Sequence, residues 1–358
     1  MINSLGMKSV LISVISAQPL PNFLLIKELR GLYSSMVFIS TGEMEGRGND
    51  SMSRSRWIER AAGLAEGSTP RVIVKEDSWL DIKQKLQDFF SDQNTSYAVN
   101  LTGGTKVMTL AVFQHFAKDG NSIYYVPFPK NEYCELFPNI HNQALSIRYR
   151  CTLSEYLAAH GLYFIYNNEL CKDKKTTLNF FKRVKREQFK INEIDDIRNA
   201  HQLSSPEDKK YYSGGWFEEF VYHFIRKSFK VSEKKIALNV NLFRNLDDVE
   251  ADNEYDLMFV DENTLYVIEC KTSAGNSPVN ARKNLDNFLY KLGAITRDFG
   301  LNVKSYVFTL TSFRDSENKI KLQVEKRMRI LGVKGIFDQV SFNNPEEIIV
   351  QLKKKGHG

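Results

Sequence analysis

The chain has 358 residues, of which 42% are hydrophobic and 26% charged. This balance is ordinary for a folded protein and excludes a disordered chain, a collagen-like repeat and a disulfide-dense scaffold. The length predicts two domains with a connector. The net charge of +6 is uneven: residues 1–140 hold 14 basic and 14 acidic residues, residues 141–212 hold 13 and 9, and residues 213–358 hold 22 and 20. A polyanion is therefore expected to engage the chain after residue 140.

Cysteine usage and apolar runs indicate a cytoplasmic protein without a membrane segment. Cys134, Cys151, Cys171 and Cys270 form no CxxC pair, so we interpret them as reduced thiols rather than zinc or redox ligands. The first apolar run has β-branched residues and no small-residue cleavage site, which favours a core strand over a signal peptide. No segment reaches the roughly 18 apolar residues of a membrane span.

Residues 1–144 alternate between short apolar runs and amphipathic stretches. This pattern predicts a Rossmann-like α/β domain with a mainly parallel sheet. The predicted strands are Val10–Ile15, Met36–Ile39, Val72–Val74, Tyr97–Leu101 and Ser122–Val126. The predicted helices are Pro21–Tyr33, Ser53–Leu64, Ser78–Phe90 and Thr105–Lys118. Glu132–Phe137 is expected to add an antiparallel strand.

Residues 145–212 are interpreted as a helical connector, with a winged helix as one candidate arrangement. Thr152–His160 predicts a short helix, and the charged stretch Thr177–Ala200 predicts a long one. Ser204–Tyr212 is polar and contains a proline, so we interpret it as a linker.

Residues 213–358 predict a third region, with both helices and strands. The predicted helices are Trp216–Phe229, Pro278–Phe299, Glu317–Leu331 and Glu346–Lys354. The predicted strands are Lys235–Phe243, Tyr255–Val260, Leu265–Cys270 and Val303–Leu310, with a turn at Asp261–Asn263.

The strongest chemical pattern combines three carboxylates with one lysine. Glu269 and Lys271 are two residues apart on one predicted strand and therefore point to the same face. The tight turn pairs this strand with the one that Asp256 opens, which brings the carboxylates together. Such oxygens suit Mg²⁺ or Mn²⁺, which activate water and neutralise charge on a phosphate. Lys271 would orient that water or stabilise the transition state, and Glu218 would complete the metal shell or hold a water.

The same spacing also occurs in exposed strands as a cross-strand salt bridge. Here the strands around it are apolar, with the runs Leu257–Val260 and Val267–Ile268. Charged residues are rarely buried without a partner or a function. The context therefore favours chemistry. Glu254 is a further candidate ligand, with solvent as its commoner destination.

Gly215-Trp216-Phe217-Glu218, Asp256 and Glu269-Cys270-Lys271 resemble the three motifs of the PD-(D/E)xK nuclease superfamily, the restriction-endonuclease-like fold. The resemblance covers residues 213–358, although no proline precedes Asp256. It implies that Glu218, Asp256 and Glu269 bind metal and that these three act with Lys271 in catalysis. Glu218 and Glu219 lie about 100° apart on a helix, so only one can face the site. We favour Glu218 because it follows the aromatic residue as in related sequences.

The first domain contains its own motif, Asn100-Leu101-Thr102-Gly103-Gly104-Thr105-Lys106, between a predicted strand and a predicted helix. Its glycines permit close approach of a ligand, and a helix N-terminus favours phosphate. It is neither GxxxxGK[ST] nor GxGxxG, and an ordinary capped turn is the alternative. The turns Ser16–Asn22 and Thr41–Asp50, which follow the first two predicted strands, are expected at the same sheet edge. The candidate ligand-binding residues are Gln18, Pro19, Pro21, Asn22, Thr41, Gly42, Asn100, Thr102, Gly103, Gly104, Thr105 and Lys106.

This motif and its surroundings resemble a CARF domain, the sensor of cyclic oligoadenylates in type III CRISPR systems, over residues 1–140. A CARF domain before a PD-(D/E)xK region resembles CRISPR ancillary nucleases with a DUF1887-type module. The resemblance implies a homodimer that binds cyclic tetra-adenylate on its two-fold axis and then cleaves DNA or RNA, single-stranded or supercoiled. Two alternatives are a non-catalytic CARF-domain DNA-binding transcriptional regulator and a dinucleotide-binding oxidoreductase. The acidic cluster argues against the first, and the missing GxGxxG against the second.

Overall fold

The computed structural model describes residues 8–92, 94–140, 143–245, 253–273, 278–295 and 299–354. The chain divides into two compact units. The first contains residues 1–163, 243–250 and 300–302, and the second contains residues 164–242, 251–299 and 303–358. The stretch interpreted as a connector is thus divided between the two units after Tyr163. None of the helices in the described ranges is long and apolar enough to cross a membrane.

The first unit is built on a seven-stranded sheet. Its strands are β1 (Lys8–Val14), β2 (Ser35–Thr41), β3 (Arg71–Val74), β4 (Thr95–Asn100), β5 (Ser122–Tyr125), β6 (Glu132–Phe137) and β7 (Leu145–Ser146). Their order is β3-β2-β1-β4-β5-β6-β7. Strands β1 to β5 pair in parallel, and β6 is antiparallel to β5. The Rossmann-like prediction and the antiparallel strand are both confirmed.

In the described residues of this unit, the α-helices are α1 (Pro19–Leu29), α2 (Arg54–Ala62), α3 (Trp79–Phe89), α4 (Lys106–Phe116) and α5 (Leu153–Ala159), five in all. Four begin at side-chain caps, because the hydroxyl groups of Ser53, Ser78, Thr105 and Thr152 accept hydrogen bonds from backbone N–H groups of the first turn. Caps of this kind are readable from sequence, which explains why these helices begin where the sequence predicts.

The strand order places a switch point between β1 and β4. From β1 the chain moves outward to β2 and β3, and then returns to β4 on the other side of β1. Ser13 near the end of β1 pairs in register with Asn100 at the end of β4. The turns that follow these strands are therefore neighbours, at the position where ligands bind in open α/β sheets.

The second sheet has six strands: β8 (Tyr163–Ile165), β9 (Ile236–Phe243), β10 (Asn253–Asp261), β11 (Thr264–Lys271), β12 (Val303–Thr309) and β13 (Gly335–Phe337). Their order is β13-β12-β11-β10-β9-β8. β10 is antiparallel to β9 and β11, whereas β11, β12 and β13 are parallel. The predicted hairpin is confirmed, whereas the sequence analysis did not predict β8 and β13.

The α-helices described for this unit are α6 (Lys174–Arg186), α7 (Asp195–Arg198), α8 (Pro206–Lys210), α9 (Trp216–Phe229), α10 (Pro278–Ile295), α11 (Leu322–Leu331) and α12 (Pro345–Lys353). A buried apolar cluster joins α6, α9 and α12 to the strands. Within it, the rings of Phe181 and Phe220 stack with centroids 3.5 Å apart, and Trp216 is fully buried. This packing attaches α6 to the sheet through α9.

Three predicted elements were wrong. The helix Thr177–Ala200 is broken, because α6 ends at Arg186 and Gln188 adopts a left-handed φ of 53°. The linker Ser204–Tyr212 contains α8 instead, and Tyr211 is buried against α6. The helix Glu317–Leu331 begins only at Leu322. Tertiary packing decides these cases, since charged or polar stretches carry little periodic signal of their own.

A buried histidine makes the stability of the first unit depend on pH. His160, directly after α5, is only 8% exposed, and its Nδ1 donates to the Tyr156 carbonyl oxygen at 2.9 Å. Burial lowers the pKa of His160 to about 4 from an ordinary value of 6.5. The unfolded chain therefore takes up a proton before the folded chain does.

The stability that neutral His160 contributes should be complete above pH 6.5 and lost as the pH falls toward 4. From pH 7 to pH 5 this amounts to about 2 kcal/mol of unfolding free energy. We expect His160→Asn to be less stable at pH 7 but to lose less stability on acidification. Urea denaturation at both pH values measures the effect, and equal slopes in the two proteins would contradict the assignment.

Candidate functional site

The β10–β11 hairpin brings Asp256, Glu269 and Lys271 together, as the sequence predicts. The Lys271 ammonium donates to Asp256 Oδ2 at 3.0 Å and lies 2.8 Å from Glu269 Oε1. Asp256 Oδ2 also accepts the Cys270 backbone N–H at 2.6 Å. Because Leu257 pairs with Ile268, the hairpin register sets Asp256 beside Glu269. A lysine therefore bridges two carboxylates at the end of a buried hairpin.

The two neighbouring glutamates of α9 have different environments. Glu219 is only 4% exposed and accepts hydrogen bonds from the Cys171 backbone N–H at 2.5 Å and from the Thr177 hydroxyl at 3.1 Å. It anchors α6 and the segment before it. Glu218 instead lies within electrostatic range of Asp256 and Lys271. This geometry favours Glu218 as the carboxylate of the site.

Burial and neighbouring charges set the proton affinities of the site. Burial and the charge of Asp256 raise the pKa of Glu218 to about 7. The same two causes raise the pKa of Glu269, although Lys271 partly opposes them. Burial alone would lower the pKa of Lys271, but Asp256 and Glu269 outweigh it and hold the ammonium charged. Perturbed groups that cluster in this way are typical of functional sites.

One site residue escaped the sequence analysis. Lys291 of α10 lies 3.5 Å from Glu269 Oε2 and donates to the Glu254 carbonyl oxygen at 2.8 Å. Phe288, one helical turn earlier, places its ring 5.4 Å from the Lys271 ammonium. The spacing of Phe288 and Lys291 on one helix face was the available signal, but it has no motif character. Glu254 itself is exposed.

The donor set fits a hard divalent cation in part. Asp256 and Glu269 each place an oxygen within 3.0 Å of the Lys271 nitrogen, so both could reach one small ion. In the described part of the chain, however, no three His, Cys, Asp or Glu side chains form a metal-binding group. Glu218, Asp256 and Glu269 are therefore not gathered as three ligands here, and the Lys271 ammonium contacts both Asp256 and Glu269.

At the carboxyl edge of the first sheet, a buried polar network joins the turns after β1 and β4. Ser13 Oγ accepts from Asn22 Nδ2 at 2.9 Å and from Asn100 Nδ2 at 3.1 Å. Asn22 Nδ2 also donates to the Val14 carbonyl oxygen at 2.7 Å. Asn100 Oδ1 accepts from the Thr102 hydroxyl at 2.6 Å. These contacts hold Asn100, the first residue of the predicted motif, against the end of β1.

One acceptor of this network is left unpaired. Asn22 Oδ1 is buried and has no hydrogen-bond partner in the described structure. The two bonds of Nδ2 fix the orientation of the amide, so Oδ1 must act as an acceptor. An unpaired buried acceptor costs free energy, and a donor supplied by a ligand at this turn would remove that cost.

The two glycines of the motif have a packing role. A Cβ atom on Gly103 would lie 2.2 Å from the Val14 carbonyl oxygen. Gly104 has a φ of +86°, and its Cβ would lie 2.8 Å from the Val14 side chain. The turn after β4 therefore lies directly against β1, which only glycine permits. Packing accounts for these glycines without a ligand.

The remaining candidate ligand residues differ in exposure. Those that are buried are Pro19, Pro21 and Thr41. Those with solvent-accessible surface are Gln18, Gly42, Thr105 and Lys106. The Thr105 hydroxyl caps α4 and donates to the Glu76 carbonyl oxygen at 2.6 Å. Lys106 is exposed at the start of α4 and is the cation that an anionic ligand at this turn would meet.

The first unit is Rossmann-like, and its turns lie where open α/β sheets bind ligands. The second unit contains the carboxylate–lysine cluster. This combination is typical of a sensor domain joined to a nuclease domain. Residues 10–156 match the family model described as the Card1 CARF domain, and residues 205–341 match the Card1-like endonuclease domain. The chain therefore belongs to the CARF-domain nucleases. A comparison with curated proteins gives no significant match.

Solved structures share this fold at low sequence identity. Protein VC1899 from Vibrio cholerae is 15% identical, with a TM-score of 0.76 over 96% of this chain and 97% of its own. Can2 from Sulfobacillus thermosulfidooxidans, solved with cyclic tetra-adenylate, is 19% identical, with a TM-score of 0.68 over 96% and 98%. A type III CRISPR defence DNA nuclease activated by cyclic oligoadenylate is 16% identical, with a TM-score of 0.58 over 90% of this chain and 52% of its own.

The different environments of the two glutamates predict different effects on stability. Glu219→Ala should lose about 1–3 kcal/mol, because the Cys171 N–H and the Thr177 hydroxyl lose their acceptor. Glu218 has a raised pKa, so its contribution to stability is complete below pH 4.5 and lost as the pH rises through 7. Glu218→Ala should therefore match or exceed the wild type in stability at pH 8.

Chemical denaturation of both variants at pH 8 and pH 5 provides the measurement. The two substitutions remove the same atoms from adjacent positions of one helix, so each is the control for the other. Equal losses at pH 8 would show that the two carboxylates do not differ as described.

Proposed function

We propose that this protein is a nuclease of type III CRISPR antiviral defence. On this proposal it hydrolyses phosphodiester bonds of DNA or RNA with Mg²⁺ or Mn²⁺ after cyclic tetra-adenylate binds its CARF domain. The observation that carries the proposal is the cluster of Asp256, Glu269 and Lys271 within the endonuclease domain. The ligand in the Can2 structure and the description of the CRISPR DNA nuclease support the activator and the substrate class.

The site residues divide the chemistry among them. Asp256 and Glu269 would hold the divalent ion, which supplies a more acidic water and neutralises charge on the phosphate. Lys271, kept charged, would then stabilise the negative charge that develops on the phosphate. Glu218, with a pKa near 7, can take up or release a proton at neutral pH.

The turns of the CARF domain fit a small cyclic nucleotide. Asn22 has an unpaired buried acceptor near the switch point, and Lys106 is an exposed cation at the start of α4. Few charges are needed, because helix N-termini and hydroxyl groups also bind phosphate. A ring of repeated nucleotides suits a two-fold axis, on which two copies present the same turns.

The alternative of a non-catalytic DNA-binding regulator has less support. Such a protein has no need for a buried Glu269 and a partly buried Asp256 bridged by a lysine, because charged groups are expensive to bury. The match of residues 205–341 to an endonuclease model also favours the nuclease.

Asp256→Asn, Glu269→Gln and Lys271→Met should each lower the cleavage rate by about 100-fold or more. The assay uses single-stranded DNA, single-stranded RNA and supercoiled DNA. Each is tested with and without cyclic tetra-adenylate, in Mg²⁺, Mn²⁺ or EDTA. We expect cleavage only with activator and metal together.

Binding of cyclic tetra-adenylate to the same variants, measured by calorimetry, is the control and should be unchanged. Undiminished cleavage in all three variants would reject the site. Equal DNA affinity in EDTA, with no cleavage in any metal, would support the regulator instead.

The homodimer is proposed to form along α3 and α4, which pack against each other. Leu80 on α3 is 78% exposed and Leu110 on α4 is 63% exposed. Leu110 lies one helical turn after Lys106, so a two-fold axis beside α4 would bring both copies of Lys106 to one ring. Exposed apolar side chains on adjacent helices are typical of an interface.

Leu110→Asp should convert the dimer to a monomer without unfolding it, because a buried aspartate at an interface is costly whereas an exposed one is not. Light scattering after size-exclusion chromatography gives the mass. Leu32→Asp is the control, since Leu32 is also exposed, at 70%, after α1. A dimer in both variants would exclude this face.

A further inference from the structure

A second ammonium group lies at the nuclease site, on a helix outside the three motifs. Lys291 Nζ is 3.5 Å from Glu269 Oε2, and Lys271 Nζ is 2.8 Å from Oε1 of the same carboxylate. Each oxygen of Glu269 therefore faces an ammonium of its own. Because Glu269 is only 3% exposed, water contributes little to its solvation, and these lysines provide the compensation.

The charges of this group are balanced before any ion binds. Asp256 and Glu269 contribute two negative charges, and Lys271 and Lys291 contribute two positive ones. A divalent cation held by the two carboxylates would stand a few ångströms from both ammonium groups. Like charges at that distance repel each other, and the partial burial of both lysines limits the screening by solvent. Metal binding therefore favours the departure of one ammonium from Glu269.

Lys291 is held less firmly than Lys271. Lys271 contacts both carboxylates, at 2.8 and 3.0 Å. Lys291 contacts one carboxylate at 3.5 Å and one carbonyl oxygen at 2.8 Å. Its side chain is also 35% exposed, against 26% for Lys271. A flexible stem of four carbons lets its ammonium move toward solvent while α10 stays in place.

We propose that Lys291 is a phosphate-contacting residue of the nuclease site. When a divalent ion binds Asp256 and Glu269, the Lys291 ammonium leaves Glu269 and contacts a phosphate of the nucleic acid beside the scissile bond. The inference rests on the proposed nuclease function. A lysine suits this role because its ammonium is a compact charge that forms hydrogen bonds with any phosphate, regardless of base sequence.

The test compares full-length wild type with Lys291→Met, Lys291→Arg and Lys283→Met. The methionine variant removes the charge and keeps most of the side-chain length, and the arginine variant keeps the charge. Lys283 is exposed on the same helix and is the matched control. Fluorescence anisotropy measures binding of a labelled single-stranded oligonucleotide in Ca²⁺ at several salt concentrations. Calorimetry measures Mn²⁺ binding without nucleic acid.

We expect Lys291→Met to weaken oligonucleotide binding about 5- to 10-fold and to reduce the salt slope by about one. The arginine variant and Lys283→Met should stay within about twofold of the wild type. Mn²⁺ should bind Lys291→Met at least as tightly as the wild type, because a competing cation is gone. A residue that merely supports Glu269 would instead weaken Mn²⁺ binding when removed.

Unchanged oligonucleotide affinity and salt slope in Lys291→Met would overturn the proposal, as would a loss of Mn²⁺ affinity. Failure of the nuclease assignment appears separately. If the nuclease assignment is wrong, the wild-type protein will cleave no substrate in Mg²⁺ or Mn²⁺ with activator present. If only the Lys291 assignment is wrong, the protein will cleave, and the binding titrations will show the failure.

Discussion

The bridge from Lys271 to Asp256 and Glu269 is the contact on which the second unit depends. The hairpin is apolar on both sides of these residues, and Glu269 is almost completely buried. Two carboxylates side by side in such a place repel each other and are poorly solvated. Lys271 offsets both the repulsion between the carboxylates and their poor solvation. The backbone N–H of Cys270 stabilises Asp256 further through a hydrogen bond. Lys271 therefore allows two neighbouring carboxylates to lie together at the end of this buried hairpin.

The sheet explains where these groups meet. β11 lies inside the sheet, between the antiparallel β10 and the parallel β12. α10 comes after β11 and brings Phe288 and Lys291 back to the site. α9 lies between β8 and β9 in sequence and carries Glu218, which is close enough for the charge of Asp256 to raise its pKa. The end of the hairpin thus meets side chains from helices on both sides of it in sequence.

The first unit also buries a charge, since Glu59 is fully buried and pairs with Arg71, but the turns at its sheet edge are held by neutral groups. Its buried network of neutral groups, centred on Ser13, connects the turns after β1 and β4. Neutral hydrogen bonds are less costly to bury than ions, which agrees with the balanced charge of residues 1–140. The unpaired oxygen of Asn22 is the exception, and it lies where a ligand is proposed to bind.

The sequence alone determined the alternation of strands and helices, the hairpin with Asp256, Glu269 and Lys271, and the helix starts at Ser53, Ser78 and Thr105. These features arise from local periodicity, tight turns and caps, which a short stretch of chain encodes by itself. Only the tertiary structure showed that Glu219 is held by the segment before α6, replaced the predicted linker with a helix next to which Tyr211 is buried, and brought Lys291 to Glu269. Each of these depends on partners far away in sequence, whose contact no local pattern records. For Glu219 the partner is Cys171, for Tyr211 it is α6, and for Lys291 it is the end of β11.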